Sequence, residues 1–293
     1  MNRRTFLSAA ACSAVAADAP PADIIDTHTH FYDPTRPLGV PWPRNDNPVL
    51  YQPTLPQRYR KLVQPHGVVG TVVIEASVWL EDNQWLLDLA RDEPFLVGVV
   101  GNFDSLLPDF NSNLARFSRN PLFRGLRSHS KRLAEGLDRP SYIDELKRMI
   151  ELDLELDIGG GPELFNNLAR LNDRLPDLRV VINHLPFDRR DPSIQELKGR
   201  AGIFAKVSSL PRLYDGVVRT DVDFFRPSLD EIWQIFGPDR VIYGSNWPVT
   251  NMYAPFAVAQ KIVMDYFAEK GTGATEKYFR QNSIAAYKWI ARR

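Results

Sequence analysis

Hydrophobic positions along the chain follow two alternating patterns. Short apolar runs rich in β-branched residues predict buried strands, and the longer segments between them repeat apolar residues at a helical period. One helical segment has Asp82 as its predicted cap and places Trp85, Leu86 and Leu89 on one face. The predicted strands cover residues 24–30, 71–76, 95–101, 123–129, 152–158, 179–184, 203–208 and 240–245.

Eight strands joined by helical crossovers predict an α/β fold with a parallel sheet, and eight is the number that closes a (β/α)8 barrel of the TIM type. A doubly wound open sheet is the alternative, but no glycine-rich phosphate loop follows the first strand. An additional C-terminal helix is predicted over residues 274–293, below or beside the barrel. We therefore expect one barrel domain over residues 23–293.

The first residues have the pattern of an export signal. Residues 2–7 read Asn-Arg-Arg-Thr-Phe-Leu, a twin-arginine motif, and a small apolar run follows over residues 8–17. That run is shorter than the ~20 apolar residues that span a bilayer. We predict a twin-arginine signal peptide over residues 1–17 and an exported, periplasmic protein. Lipid attachment at Cys12 is the alternative, although Ala9 stands where a lipobox prefers leucine.

Charge and cysteine content narrow the classes of partner. The chain has 36 Lys and Arg against 36 Asp and Glu, which argues against nucleic acid or an anionic membrane as the main partner. Cys12 is the single cysteine, so an internal disulfide and a cysteine-based zinc cluster are excluded. A small-molecule substrate is the expected partner, and the sequence leaves the oligomeric state open.

The first predicted strand ends in a pair of histidines, His28 and His30. Strand side chains alternate, so both should face the same side, as should Asp26. At the carboxyl end of a barrel strand that side is the mouth, where active sites lie. Two imidazoles one strand step apart can hold a divalent ion. Because the chain has five histidines in all, we favour a functional pair over two buried structural histidines.

Residues 26–31, Asp-Thr-His-Thr-His-Phe, resemble the opening strand of the amidohydrolase superfamily, and residues 73–76, 123–127, 176–185 and 239–248 resemble its later strands in order. More narrowly, the chain is similar to the branch that includes sugar lactonases and a pyrone-dicarboxylate lactonase. The resemblance implies a barrel hydrolase that opens the lactone of a sugar acid or related hydroxy acid. It implies either a divalent metal ion, with zinc as the first candidate, or a metal-free mechanism.

The resemblance also implies roles for individual residues. His184 matches the histidine of the sixth strand, which contacts the substrate carbonyl or activates water. Arg127 matches a position of the fourth strand, where a fixed cation binds a substrate carboxylate or polarises a carbonyl, and His129 shares its face. Glu75 ends an apolar strand, so it should either complete a metal site with the histidine pair or form an ion pair with Arg127.

Aromatic side chains are expected at the same mouth. Trp79, Trp42 and Trp247 lie in or beside predicted mouth loops, where they can stack on a sugar face. Trp42 is equally well explained as the packing centre of its own loop.

The departure from the family pattern is Asn246. The family usually has aspartate in a Gly-Ser-Asp-Trp-Pro run, whereas residues 244–248 read Gly-Ser-Asn-Trp-Pro. An amide cannot take a proton near neutral pH, so His184 or Asp26 would have to act as the base. The alternatives are a decarboxylase of an aromatic or unsaturated acid on the same scaffold, and a non-catalytic binding protein.

Overall fold

The structure, a computed structural model, describes residues 23–104, 108–187 and 191–292. The predicted export signal and Cys12 lie outside these residues and stay predictions. None of the helices in the described part of the chain has the length and apolar character that a membrane span requires.

Eight parallel strands form one sheet in which neighbours in sequence are neighbours in space. This confirms the predicted (β/α)8 barrel. Each strand is a short apolar segment between helices, as the hydrophobic pattern indicates. The strands are β1 (Ile24–Thr29), β2 (Val68–Ile74), β3 (Leu96–Gly101), β4 (Phe123–His129), β5 (Glu155–Gly159), β6 (Val180–Leu185), β7 (Ile203–Val207) and β8 (Val241–Tyr243).

Helices surround the sheet and bury their apolar faces against it. Helix α2 begins at Leu80 rather than after Asp82, so the predicted cap is wrong: Asp82 lies in the first turn and pairs with Arg36 at 2.9 Å. The helices are α1 (Pro56–Val63), α2 (Leu80–Asp92), α3 (Phe110–Phe117), α4 (Ser130–Gly136), α5 (Pro140–Glu151), α6 (Leu164–Arg174), α7 (Val222–Phe236), α8 (Phe256–Glu269), α9 (Thr272–Glu276) and α10 (Asn282–Tyr287).

The C-terminal segment packs against the interior of the barrel. Tyr287 and Trp289 join an apolar cluster with inward-facing residues such as Ile25, Val181 and Ile242. The predicted helix over residues 274–293 is not continuous: a π-helical turn separates α9 from α10, and α10 ends before Lys288, whose φ of 49° is left-handed. After this turn the N–H of Ile290 donates to the carbonyl of Val97 on β3 at 3.0 Å.

The barrel closes at a seam between β1 and β8. A single backbone bridge, Thr29 with Trp247, joins the two strand ends, and the N–H of His30 donates to the carbonyl of Trp247 at 2.9 Å. Two side chains of β1 add connections: Asp26 Oδ1 accepts from the N–H of Ser245 at 2.9 Å, and the Thr27 hydroxyl donates to the carbonyl of Tyr243 at 2.5 Å. Side chains thus replace part of the missing backbone ladder.

Candidate active site

A cavity of about 780 Å³ opens at the carboxyl ends of the barrel strands. Its polar wall contains His30, Arg127, His184 and Asn246, which follow or end four different strands. Its apolar wall comes from the loops after β2 and β3 and from helix α3, with Val78, Leu80, Phe103 and Phe110. A concave, mainly apolar pocket with a few convergent polar groups is typical of a small-molecule site.

Three histidines cluster at the base of this cavity. The ring centroid of His28 lies 4.9 Å from that of His30 and 4.4 Å from that of His184. The Nδ1 atom of His30 contacts the carbonyl of Ile74 at 2.7 Å, and that of His184 contacts Ser208 Oγ at 2.9 Å. The Nε2 atom of His28 is buried and has no partner among the described residues.

Burial and neighbouring cations keep all three imidazoles neutral. Burial lowers the pKa of His30 to about 3, with Arg127 adding to the effect. The pKa values of His28 and His184 are also well below the usual range, again through burial first, with the Lys206 ammonium second for His28 and the Arg127 guanidinium second for His184. A neutral imidazole can accept a proton, so His184 has the chemistry of a general base.

Backbone conformation directs two of these side chains. His184 and Asn246 have φ angles of 62° and 56°, and Ser209, beside Asn246, has 57°. Left-handed φ is uncommon outside glycine, and such residues concentrate at functional sites. The amide nitrogen of Asn246 donates to Ser209 Oγ, while its Oδ1 is buried without a partner. Asn246 therefore keeps one acceptor free beside the cavity.

Arg127 is the cation of the polar wall. Its side chain is half-buried, and Nη1 donates to the backbone carbonyl of Glu75 at 3.4 Å. No carboxylate forms an ion pair with it in residues 23–104, 108–187 and 191–292. A guanidinium without a protein carboxylate is available for an anionic or carbonyl oxygen of a ligand. His129 is exposed at the rim of the same cavity.

Beneath the histidines lies a buried polar network that the sequence analysis missed. The Lys206 Nζ donates to Asp157 Oδ2 at 2.9 Å and to Asn183 Oδ1 at 2.8 Å, and it lies 3.2 Å from Nδ1 of His28. Lys206, Asp157 and Asn183 are completely buried. A lysine inside the apolar strand β7 was the available signal, because lysine is almost never fully buried without a partner.

Three predicted site residues lie elsewhere. Asp26 does not face the histidines: its carboxylate accepts from the Tyr59 hydroxyl and from the N–H groups of His28 and Ser245. Trp247 is buried in the core against Phe31 and Tyr59 and does not line the cavity. Trp79 is outside the cavity, although its two neighbours line it.

Trp42, by contrast, lines the cavity with its ring edge-on to His30 at 5.4 Å. Of the three predicted stacking residues, it is the one at the mouth. Its contacts with Tyr32, at 5.3 Å between ring centroids, also make it a packing centre for its loop.

The donors do not fit the predicted metal site of His28, His30 and Glu75. No three His, Cys, Asp or Glu side chains of the described ranges are arranged to hold an ion. Glu75 lines a separate small cavity with Arg36, and its Oε1 accepts from the N–H of Ser77 at 2.6 Å. The histidine cluster instead adjoins two cations, Arg127 and Lys206, which oppose a divalent ion.

Glu75 is expected to make stability depend on pH. Burial raises the pKa of its carboxyl to about 8, so the folded protein keeps a proton that the unfolded chain loses above about pH 4.5. The contribution of Glu75 to the free energy of unfolding is therefore fully present below pH 4.5 and is lost as pH rises toward 8. Relative to wild type, Glu75→Gln should gain about 1.4 kcal/mol of unfolding free energy per pH unit between pH 5 and 7.5.

Urea denaturation at several pH values checks this prediction. The exposed Glu151 provides a matched control, because Glu151→Gln should leave the pH dependence of the wild type unchanged. A difference between Glu75→Gln and wild type that stays constant from pH 5 to 7.5 would contradict the assignment.

Comparisons with known proteins agree with this geometry. The family model described as amidohydrolase matches residues 25–289. An L-fucono-1,5-lactonase of Burkholderia ambifaria is 29% identical over 242 residues, covering 79% of this chain and 82% of the relative. Another, of Burkholderia multivorans, is 24% identical and covers 86% and 91%.

Among solved structures, an amidohydrolase from Burkholderia multivorans with bound HEPES superposes with a TM-score of 0.79 at 22% identity, covering 92% of this chain and 100% of the other. A second crystal form of that protein, with bound zinc, has a TM-score of 0.78 at 21% identity and the same coverage. At these identities the superpositions bear on the fold.

Proposed function

Because the chain belongs to the amidohydrolase family, we propose that it is a hydrolase that opens a lactone of a sugar acid or related hydroxy acid. The observation that carries the proposal is the neutral His184 facing the same cavity as the carboxylate-free Arg127. A base and a fixed cation on one wall are what water attack on an ester carbonyl needs. The two L-fucono-1,5-lactonases support the same reaction class.

In the proposed mechanism the lactone carbonyl oxygen accepts hydrogen bonds from Arg127, and a water molecule lies between His184 and Asn246. The free Oδ1 of Asn246 accepts one hydrogen of that water. His184 takes the other through Nε2 as the oxygen attacks the carbonyl carbon, while its Nδ1–H donates to Ser208 Oγ. The ring oxygen then leaves and receives the proton from His184, which yields the open hydroxy acid.

The cavity also favours a particular substrate shape. His30, His184, Arg127 and Asn246 lie on one wall, whereas the other carries Val78, Leu80, Phe103 and Phe110 interspersed with Asp104, Asp109 and Asn113. Such a pocket suits a ring with one oxygen-rich edge and one apolar face, which describes a deoxy sugar lactone as well as an unsaturated lactone. Trp42 at the mouth provides an aromatic surface for that apolar face.

The proposal is tested by measuring proton release from a panel of sugar-acid and unsaturated lactones with a pH indicator. Hydrolysis of at least one lactone well above the buffer rate is expected. Release of carbon dioxide from aromatic or unsaturated acids, with no lactone opened, would instead establish the decarboxylase alternative.

Asn246→Asp separates an active enzyme from a binding protein that has lost catalysis. If His184 is the base, the variant should keep its activity or lose up to about tenfold, because the new carboxylate adds negative charge where the transition state develops it. A gain of a decade or more over wild type would show that the wild type lacks its base. The lactone assay with matched enzyme concentrations decides between these results, and thermal melting checks that both proteins are folded.

A further inference from the structure

The buried ammonium of Lys206 faces an unusual set of acceptors. An ammonium group has three N–H donors. Its three nearest acceptors in the described structure are Asp157 Oδ2 at 2.9 Å, Asn183 Oδ1 at 2.8 Å and His28 Nδ1 at 3.2 Å. The three donors and the three acceptors match one to one.

The other bonds of the network fix the direction of these contacts. The amide nitrogen of Asn183 donates to Asp157 Oδ1, so its oxygen is the atom that faces Lys206. The Tyr287 hydroxyl donates to Asp157 Oδ2 at 2.5 Å. Asp157 therefore accepts from three donors, which stabilises the carboxylate and with it the ammonium that it pairs with.

His28 has two choices within this network. A proton on Nδ1 would point to Asn183 Oδ1 at 3.2 Å, but it would also face the ammonium at the same distance and leave one N–H of Lys206 without an acceptor. A proton on Nε2 leaves Nδ1 as an acceptor for Lys206, and Asn183 Oδ1 still accepts from Lys206. Each tautomer leaves one buried N–H without an acceptor, so the charge of Lys206 decides between them. The second arrangement is favoured because it turns the Nδ1 lone pair, and not an N–H dipole, toward the ammonium 3.2 Å away.

From this arrangement we propose that Lys206 is a positioning residue that holds His28 in the tautomer protonated at Nε2. The unpartnered Nε2 then presents a hydrogen between the rings of His30 and His184. This N–H can donate a hydrogen bond to an oxygen atom, and the protonated Nε2 has no lone pair to offer a metal ion. Gly244 permits this packing, because a Cβ there would lie 2.9 Å from the Cβ of His28.

Lys206 thus explains why the histidine pair does not fit a metal site. The sequence motif His-x-His predicts two metal ligands, but the lysine beneath the first histidine turns it into a hydrogen-bond donor. This role of Lys206 is the same whichever substrate the cavity takes.

The direct test is the tautomer of His28 in the full-length wild-type protein at neutral pH. Nitrogen-15 NMR of histidine-labelled protein distinguishes a protonated ring nitrogen from a bare one, and the spectrum of His28→Gln assigns the signal among the five histidines. We expect Nε2 of His28 to be protonated and Nδ1 to be bare. Protonation at Nδ1 would overturn the proposal.

A variant pair tests the role of the lysine. Lys206→Met combined with Asp157→Asn removes both charges together, which avoids leaving the buried carboxylate unpaired. In this double variant we expect the proton to move to Nδ1, where it is donated to Asn183. The exposed Lys261, paired with Asp265 on α8, gives the matched control Lys261→Met, which should keep the wild-type tautomer.

Zinc chloride titration by calorimetry adds a second readout. The double variant should bind zinc at least tenfold more tightly than wild type, and His28→Gln in the same background should remove that gain. Wild-type protein that binds zinc through His28 as tightly as the double variant would refute the inference. Unlike the lactone assay, neither measurement requires turnover.

Discussion

Replacing His184 with asparagine is expected to lower kcat/KM for lactone hydrolysis by ~10²–10⁴-fold, the usual contribution of a general base. Asparagine keeps a polar side chain near Ser208 but cannot take a proton from water. Initial-rate measurements on the best substrate of the panel give the ratio directly. A loss of less than threefold in a folded variant would remove His184 from the mechanism.

The pH profile provides a second reading of the same residue. Burial and the Arg127 guanidinium lower the pKa of His184 well below 6.5, so its neutral, active form is retained as pH falls to 6.5. Wild-type kcat/KM should therefore stay flat as pH falls through 6.5, where a free imidazole becomes protonated, and decline only at distinctly lower pH, whereas the residual activity of His184→Asn should lack that decline. His66, which lies far from the mouth on the turn Gln64–His66, gives the control His66→Asn.

Replacing Arg127 with methionine should cost ~10²–10³-fold in kcat/KM, because the developing oxyanion loses the cation that stabilises it. The loss should be larger for lactones that carry a carboxylate than for neutral ones if the guanidinium also binds the substrate anion. Separate kcat and KM values distinguish the two roles: carbonyl polarisation lowers kcat, and anion binding raises KM.

Arg132 offers the matched control for this experiment. It lines the same cavity, but Glu135 and Asp104 already neutralise its guanidinium. Arg132→Met is expected to change kcat/KM by less than threefold. If both variants lose activity equally, the effect belongs to the general positive potential of the mouth and not to Arg127.

The architecture was predictable because eight apolar runs separated by helical periods have few other solutions. The orientation of Asp26 was not. Strict alternation places it beside His28, but the pairing of β1 with β2 shifts register between Asp26 and Thr29, which breaks the alternation. Local irregularities of this kind arise from barrel closure, which one strand's own sequence does not report.

The candidate site divides in the same way. His30, His184, Arg127 and Asn246 follow from motif positions at strand ends, and the structure brings them to one cavity. Trp247 has the same kind of position but turns into the core, since its direction depends on contacts with Phe31 and Tyr59 that come from distant segments. Side-chain direction after a strand is a tertiary property.

The seam between β1 and β8 has a consequence for motion. Because one backbone bridge and the side chains of Asp26 and Thr27 span it, local opening of the ring should require less free energy there than between other strands. His28 and His30 lie on the β1 side of the seam and Asn246 lies on the β8 side, so each opening event separates side chains of the candidate site. A ligand that contacts both sides of the seam should slow amide hydrogen exchange at His30 and Ser245. Local opening of the barrel would then be coupled to substrate binding and release.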